Sequence, residues 1–178
     1  LLDMAYGGAT TGLDNPAAGL TITGLQWQVG AYNSVFGNVA DNALITISAG
    51  GNDMFNGRSP VDAANNIAGV LMYLEGIGGD AFMVMNLSPT QQSPEYTAWM
   101  GAFNAALAAH LAALDSIYPN DDFYLLDLTT FAPTGIDNIT GTWLADCSAN
   151  PAACEGITYA WWDTVGVHPT TEVHAQIG

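Results

Sequence analysis

Residues 43–53, Ala43-Leu44-Ile45-Thr46-Ile47-Ser48-Ala49-Gly50-Gly51-Asn52-Asp53, run from an apolar, β-branched stretch straight into two glycines and two polar side chains. A short apolar run of this kind, without alternation, is expected of a strand buried in a parallel sheet and feeding a loop. Asp80 to Leu87 and Asp122 to Leu128 repeat the design, and Leu2 to Tyr6, followed by Gly7-Gly8, reads as another strand.

The segments between these runs carry helical signals. Ser59-Pro60-Val61-Asp62 offers an N-cap serine, a proline at the first helical position and an acid at the third, opening a helix to about Glu75 that Gly76 stops. Ser93 or Pro94 opens a longer helix whose Trp99, Phe103, Leu107 and Leu111 fall on one face by their spacing of four. A third, shorter helix is expected to cover Leu20 to Phe36, weakened by Gly24 and Gly30. Alternating strand and helix implies an α/β fold with right-handed crossovers and a parallel sheet covered on both faces. Ligands then bind at the carboxyl ends of the strands.

Composition narrows the function. Seventeen acids against one basic residue, Arg58, give a net charge of -16, which disfavours nucleic acid and anionic lipid as partners. The 178 residues suit one domain, 1–178, and no apolar run reaches the ~18 to 20 residues of a membrane span. Charged residues are only 10%, against ~25% in ordinary domains. A surface so poor in charge suits a secreted protein in an extracellular medium, or one that packs against copies of itself. Cys147 and Cys154 lie in a stretch rich in Gly, Pro, Asn and Ala within the loop-like region Pro133 to Gly166, and are expected to form a local disulfide. His110, His168 and His174 show no metal-ligand spacing, so no metal is expected.

Three constellations carry chemistry. Gly7-Gly8-Ala9-Thr10-Thr11-Gly12 follows the first presumed strand, where glycine lets backbone N–H groups turn toward an oxyanion, or simply makes a turn. Gly50-Gly51-Asn52-Asp53 presents an amide side chain at the end of a buried strand, as an oxyanion donor or as an Asx-turn or helix cap. Trp162-Asp163 through His168-Pro169-Thr170 sets an acid before a histidine, with Pro-Thr opening a helix, an arrangement that can fix an imidazole tautomer.

Together, in this order, these blocks resemble the SGNH (GDSL) hydrolases, in particular their longer lipase and esterase branch. The likeness extends to Asn86-Leu87-Ser88-Pro89 and to Phe103-Asn104-Ala105-Ala106-Leu107, and so covers essentially the whole chain. The resemblance implies a three-layer, flavodoxin-like fold and a cofactor-free ester hydrolase acting on a small ester or lipid. It assigns Gly8 as a backbone oxyanion donor, Asn52 as a side-chain oxyanion donor, His168 as general base and Asp163 as its orienting acid.

Two departures stand out. The family's Gly-Asp-Ser block, which brings the nucleophile just after the first strand, has no counterpart; none of Ser34, Ser48, Ser59, Ser88, Ser93, Ser116 or Ser148 has that context. The chain alone is therefore expected to be inactive, its serine and first strand coming from a segment outside it. Asp163 and His168 are also two residues farther apart than the family's Asp-x-x-His, and Gly166 is expected to let the extra residues bulge. A second reading is a non-catalytic binding or self-assembling extracellular protein on the same scaffold.

Overall fold

A computed structural model of the chain describes residues 2–87 and 94–130. By its internal contacts the chain divides into two units, Leu1–Leu87 with Trp99–Thr129, and Ser88–Ala98 with Thr130–Gly178. The three described strands belong to the first. In the second, the described residues are Pro94–Ala98, which form the start of a helix, and Thr130.

The elements in order are α1 (Leu25–Phe36), β1 (Leu44–Ser48), α2 (Gly51–Phe55), α3 (Pro60–Glu75), β2 (Ala81–Met85), α4 (Pro94–Ile117) and β3 (Asp122–Leu126). The three strands form a parallel sheet in the order β1-β2-β3, with Ile45 opposite Phe82 and Phe82 opposite Phe123. The α/β architecture read from the strand-like runs is thus present. So is the helix start at Ser59, whose hydroxyl oxygen accepts from the Asp62 N–H at 3.3 Å, with Pro60 as first helical residue.

Side chains alternate across a strand, so the register divides the sheet into two faces. Ile45, Ile47, Phe82, Val84 and Phe123 share one face, and that face meets the core. Ala63, Ala64, Ile67, Val70, Leu71 and Leu74 of α3 and Phe103, Leu107, Leu111 and Leu114 of α4 pack there, with Leu25, Val29 and Tyr32 of α1 against them. Phe82 and Phe123 stack with ring centroids 5.0 Å apart. The opposite face carries Leu44, Thr46, Ser48, Met83, Met85, Tyr124 and Leu126, none of which joins the core. Leu44 is 53% exposed and Tyr124 50%.

Among the described residues α1, α3 and α4 all contribute to one side of the sheet, and β1 pairs only with β2. Three expectations are corrected. Leu2 to Tyr6 is not a strand. Asp3 Oδ1 takes the Ala5 N–H at 2.9 Å and Tyr6 O takes the Ala9 N–H at 3.2 Å, local bonds that turn the chain away from a ladder. The first helix starts at Leu25, not Leu20. Asn15 and Leu20 exchange backbone hydrogen bonds, Thr23 sits at φ 79°, and a side chain at Gly24 would strike the backbone of Gly12 and Leu13. Finally, Gly51–Phe55 is a short helix where a loop was expected.

α4 is, by length and composition, long and apolar enough to cross a bilayer, although no uninterrupted apolar run in the sequence suggests it. Its stripe of Met100, Phe103, Leu107, Leu111 and Leu114 is buried, the pattern of a helix that packs by one face.

Candidate functional site

The described part of the site lies where the loop of residues 7–24 meets the carboxyl end of β1. Leu25 N–H donates to Thr10 O at 2.9 Å and Gln26 N–H to Gly12 O at 3.0 Å, so the loop carbonyls satisfy donors that the first turn of α1 leaves open. Asn15, almost fully buried, holds the rest. Its Nδ2 donates to Gly7 O at 3.0 Å and lies 3.2 Å from Thr23 Oγ1, while its Oδ1 accepts from the Ala18 N–H at 3.2 Å. Gln28 Nε2 donates to Thr23 O at 2.9 Å. These bonds hold a β-branched residue in the left-handed region, a conformation that costs of order 1–3 kcal/mol and persists only when its surroundings fix it.

Gly8 has φ +83°, and a Cβ there would come within 2.6 Å of Ala17 Cβ and 2.7 Å of Asn15 Oδ1, so only glycine fits. The next three backbone N–H groups are engaged: Ala9 to Tyr6 O, Thr10 to Asp14 O and Thr11 to Asp53 Oδ2. Among the described residues the Gly8 N–H has no acceptor.

Gly50, at φ +117°, turns the chain from β1 into α2 with its Cα face against the Phe103 ring. Asn52, in the first turn of α2, donates one Nδ2 hydrogen to Ala9 O at 3.0 Å and is left with a second. The structure thus brings Asn52 to the residue next to Gly8. His168 and Asp163 lie outside the described residues, as do Cys147 and Cys154. His110 is bound on the helix surface, its Nε2 2.8 Å from Asn65 Oδ1.

Sequence reading missed the polar frame around this pair. Asp53 is fully buried; its Oδ2 accepts the Thr11 N–H at 2.9 Å and its Oδ1 the Thr11 hydroxyl at 2.7 Å. Burial pushes the Asp53 carboxyl above the ordinary aspartate range, and the two Thr11 hydrogen bonds oppose that rise. Arg58 donates from Nη2 to Asp14 Oδ2 at 2.5 Å and from Nη1 to Thr10 Oγ1 at 3.3 Å. The Arg58 hydrogen bond holds Asp14 below the ordinary range. One signal was available: Arg58 is the only basic residue apart from the histidines, so a place at a carboxylate is where it does most.

The two asparagines of the outer motifs have structural roles. Asn86 Nδ2 donates to Asp127 Oδ1 at 2.7 Å and its Oδ1 accepts the Leu128 N–H at 2.7 Å, tying the ends of β2 and β3 together. Asn104 grips Leu87, accepting its N–H at 3.0 Å and donating to its carbonyl at 2.8 Å.

The Asp14–Arg58 pair predicts a pH dependence. A carboxyl whose native pKa is depressed stabilises the fold above its unfolded value, near ~3.9, and loses that contribution as pH falls through the native pKa. Asp14→Asn is therefore expected to lower the unfolding temperature at neutral pH, with the gap to the parent protein closing below about pH 4. Both side chains are about one-third exposed, so the gap should also shrink with added salt. A gap that is constant from pH 7 to pH 3 would contradict the assignment.

The sequence profile described as GDSL-like Lipase/Acylhydrolase matches residues 2–178. Among curated proteins, none matches the chain.

Proposed function

The chain belongs to the GDSL-like lipase/acylhydrolase family, matched over residues 2–178, and from that premise we propose that it hydrolyses carboxylic esters through a serine, histidine and aspartate. The serine is carried by a Gly-Asp-Ser segment outside residues 1–178. The serine hydroxyl attacks the ester carbonyl while His168, oriented by Asp163, takes its proton. The oxyanion so formed accepts from the Gly8 N–H and the Asn52 Nδ2 hydrogen. Collapse of the tetrahedral intermediate breaks the ester C–O bond, and His168 returns the proton to the departing alcohol. Water activated by the same histidine then releases the acid and restores the serine.

The observation that carries this reading is the Gly8–Asn52 neighbourhood. An N–H with no acceptor among the described residues and an amide with a hydrogen to spare stand one residue apart at the carboxyl end of a parallel strand, where α/β sheets bind ligands. The placement of the serine segment has separate support. β1 offers an unpaired edge among the described residues, and Leu44 and Tyr124 stand exposed on the face opposite the core. A further strand would satisfy that edge, and a helix covering it would bury Leu44 beside it.

The test is hydrolysis of a chromogenic acetyl or butyryl ester by residues 1–178, alone and joined to a Gly-Asp-Ser segment. Turnover is expected only in the joined form and is expected to disappear in His168→Ala. Turnover by the bare chain, or turnover that survives His168→Ala, would overturn the proposal.

A further inference from the structure

We propose that Thr11 and Asp53 are positioning residues for ester hydrolysis, a buried clamp that fixes the Gly8–Thr10 loop against Asn52 before substrate arrives. The inference rests on the reading of Gly8 and Asn52 as the oxyanion donors.

Asn52 and Asp53 are consecutive in α2, and both reach the same loop across more than forty residues of sequence: Asn52 holds Ala9 O at 3.0 Å, and Asp53 holds Thr11 by its N–H and its hydroxyl at 2.9 and 2.7 Å. The Thr11 hydroxyl has no freedom left. It donates to Asp53 and accepts from Asn66 Nδ2 of α3 at 3.0 Å, and Asn66 Oδ1 in turn accepts from Gln26 Nε2 of α1 at 3.1 Å. Two helices, α2 and α3, therefore meet at one threonine, and α1 joins them through Asn66. Thr10, Thr11 and Asp53 have no exposed surface. Burying a carboxylate is costly unless its oxygens are hydrogen-bonded. Asp53 places one oxygen on the N–H and the other on the hydroxyl of a single residue, which fixes that residue's orientation as well as its position. An apolar side chain in the place of Asp53 would avoid that desolvation cost, but it would hold the loop without fixing its angle.

Fixed angle is what an oxyanion site requires. Donors must sit about 3 Å from where the charge develops, and a displacement of ~1 Å can cost roughly 100-fold in rate. The Gly8 N–H lies three residues before the gripped Thr11, and the Asn52 amide immediately before the gripping Asp53, so movement at the clamp changes the spacing of the two donors directly.

The experiment compares Thr11→Val, Thr11→Ser and Asn52→Ala in the ester-hydrolysing protein, residues 1–178 joined to the serine segment. Thr11→Val, which keeps shape and removes the hydroxyl, is expected to lower kcat by about 10- to 100-fold with KM unchanged. Thr11→Ser, which keeps the hydroxyl, is expected to restore most of the loss. Amide hydrogen exchange at Ala9 and Thr10 should quicken in Thr11→Val while the β2 amides of Ala81–Met85 keep their protection. An unchanged kcat in Thr11→Val, an equal loss in Thr11→Ser, or exchange that quickens equally in β2 would each overturn the clamp. Should Thr11→Val fail to fold, Asn66→Ala takes its place, since it removes a half-buried donor to the same hydroxyl; an unchanged kcat there overturns the clamp as well. Asn52→Ala separates the two claims. If it leaves kcat unchanged, the donor reading fails whatever Thr11 does; if it lowers kcat while Thr11→Val does not, the clamp alone fails.

Discussion

Asn52→Ala in the serine-bearing form of the protein is expected to lower kcat for a short ester by roughly 100- to 1,000-fold, the usual cost of deleting one oxyanion donor. KM should change little, because the hydrogen bond at stake strengthens only as charge develops on the carbonyl oxygen. The substitution also removes the bond from Nδ2 to Ala9 O. That carbonyl belongs to a half-buried residue, where water can replace the lost donor, so the unfolding temperature should fall by far less than the turnover. Steady-state kinetics beside thermal unfolding checks both statements. A KM that rises as kcat holds would mean that Asn52 binds ground state and transition state alike.

Phe103→Ala is expected to be the most destabilising of the single substitutions considered, at about 3 to 5 kcal/mol. The ring is fully buried, stacks on Trp99 at 5.5 Å, and forms the wall against which Gly50 turns, with a Gly50 Cβ position only 2.7 Å from the ring. Loss of the ring leaves a cavity beneath the start of α2, the helix that carries Asn52 and Asp53. Denaturant unfolding should show a lower midpoint with an unchanged slope. Phe103→Leu, which refills much of the volume, should recover more than half of the loss. A loss below about 1 kcal/mol for Phe103→Ala would contradict the packing described.

The elements that could be read from sequence are those whose signals are local. The β-branched run ending at Gly50-Gly51 became β1, Ser59-Pro60 opened α3 where expected, and the spacing of Phe103, Leu107 and Leu111 marked the buried stripe of α4. Gly8 and Asn52 stood out because glycines or an amide directly follow strand-like segments. What could not be read depends on partners far along the chain. Residues 2–24 take their course from Asn15 on Gly7 O, Thr11 on Asp53 and Arg58 on Asp14, and the last two pairs are separated by more than forty residues. Hence Leu2 to Tyr6, apolar enough for a strand, is not one, and the helix after it starts late. Asp53 was visible only as the neighbour of Asn52. Nothing in its local sequence indicates that it is buried and bound to a threonine forty-two positions earlier.

Covalent labelling tests the central claim most directly. A fluorophosphonate reacts with a serine whose hydroxyl is activated by a nearby base and forms a stable adduct that stands in for the tetrahedral intermediate. Residues 1–178 and the same chain joined to a Gly-Asp-Ser segment would be treated in parallel, and the modified residue located by peptide mass spectrometry. The account predicts no adduct on the bare chain and one on the joined form, at the serine of the added segment, lost in His168→Ala. An adduct on any serine or threonine within residues 1–178 would contradict it.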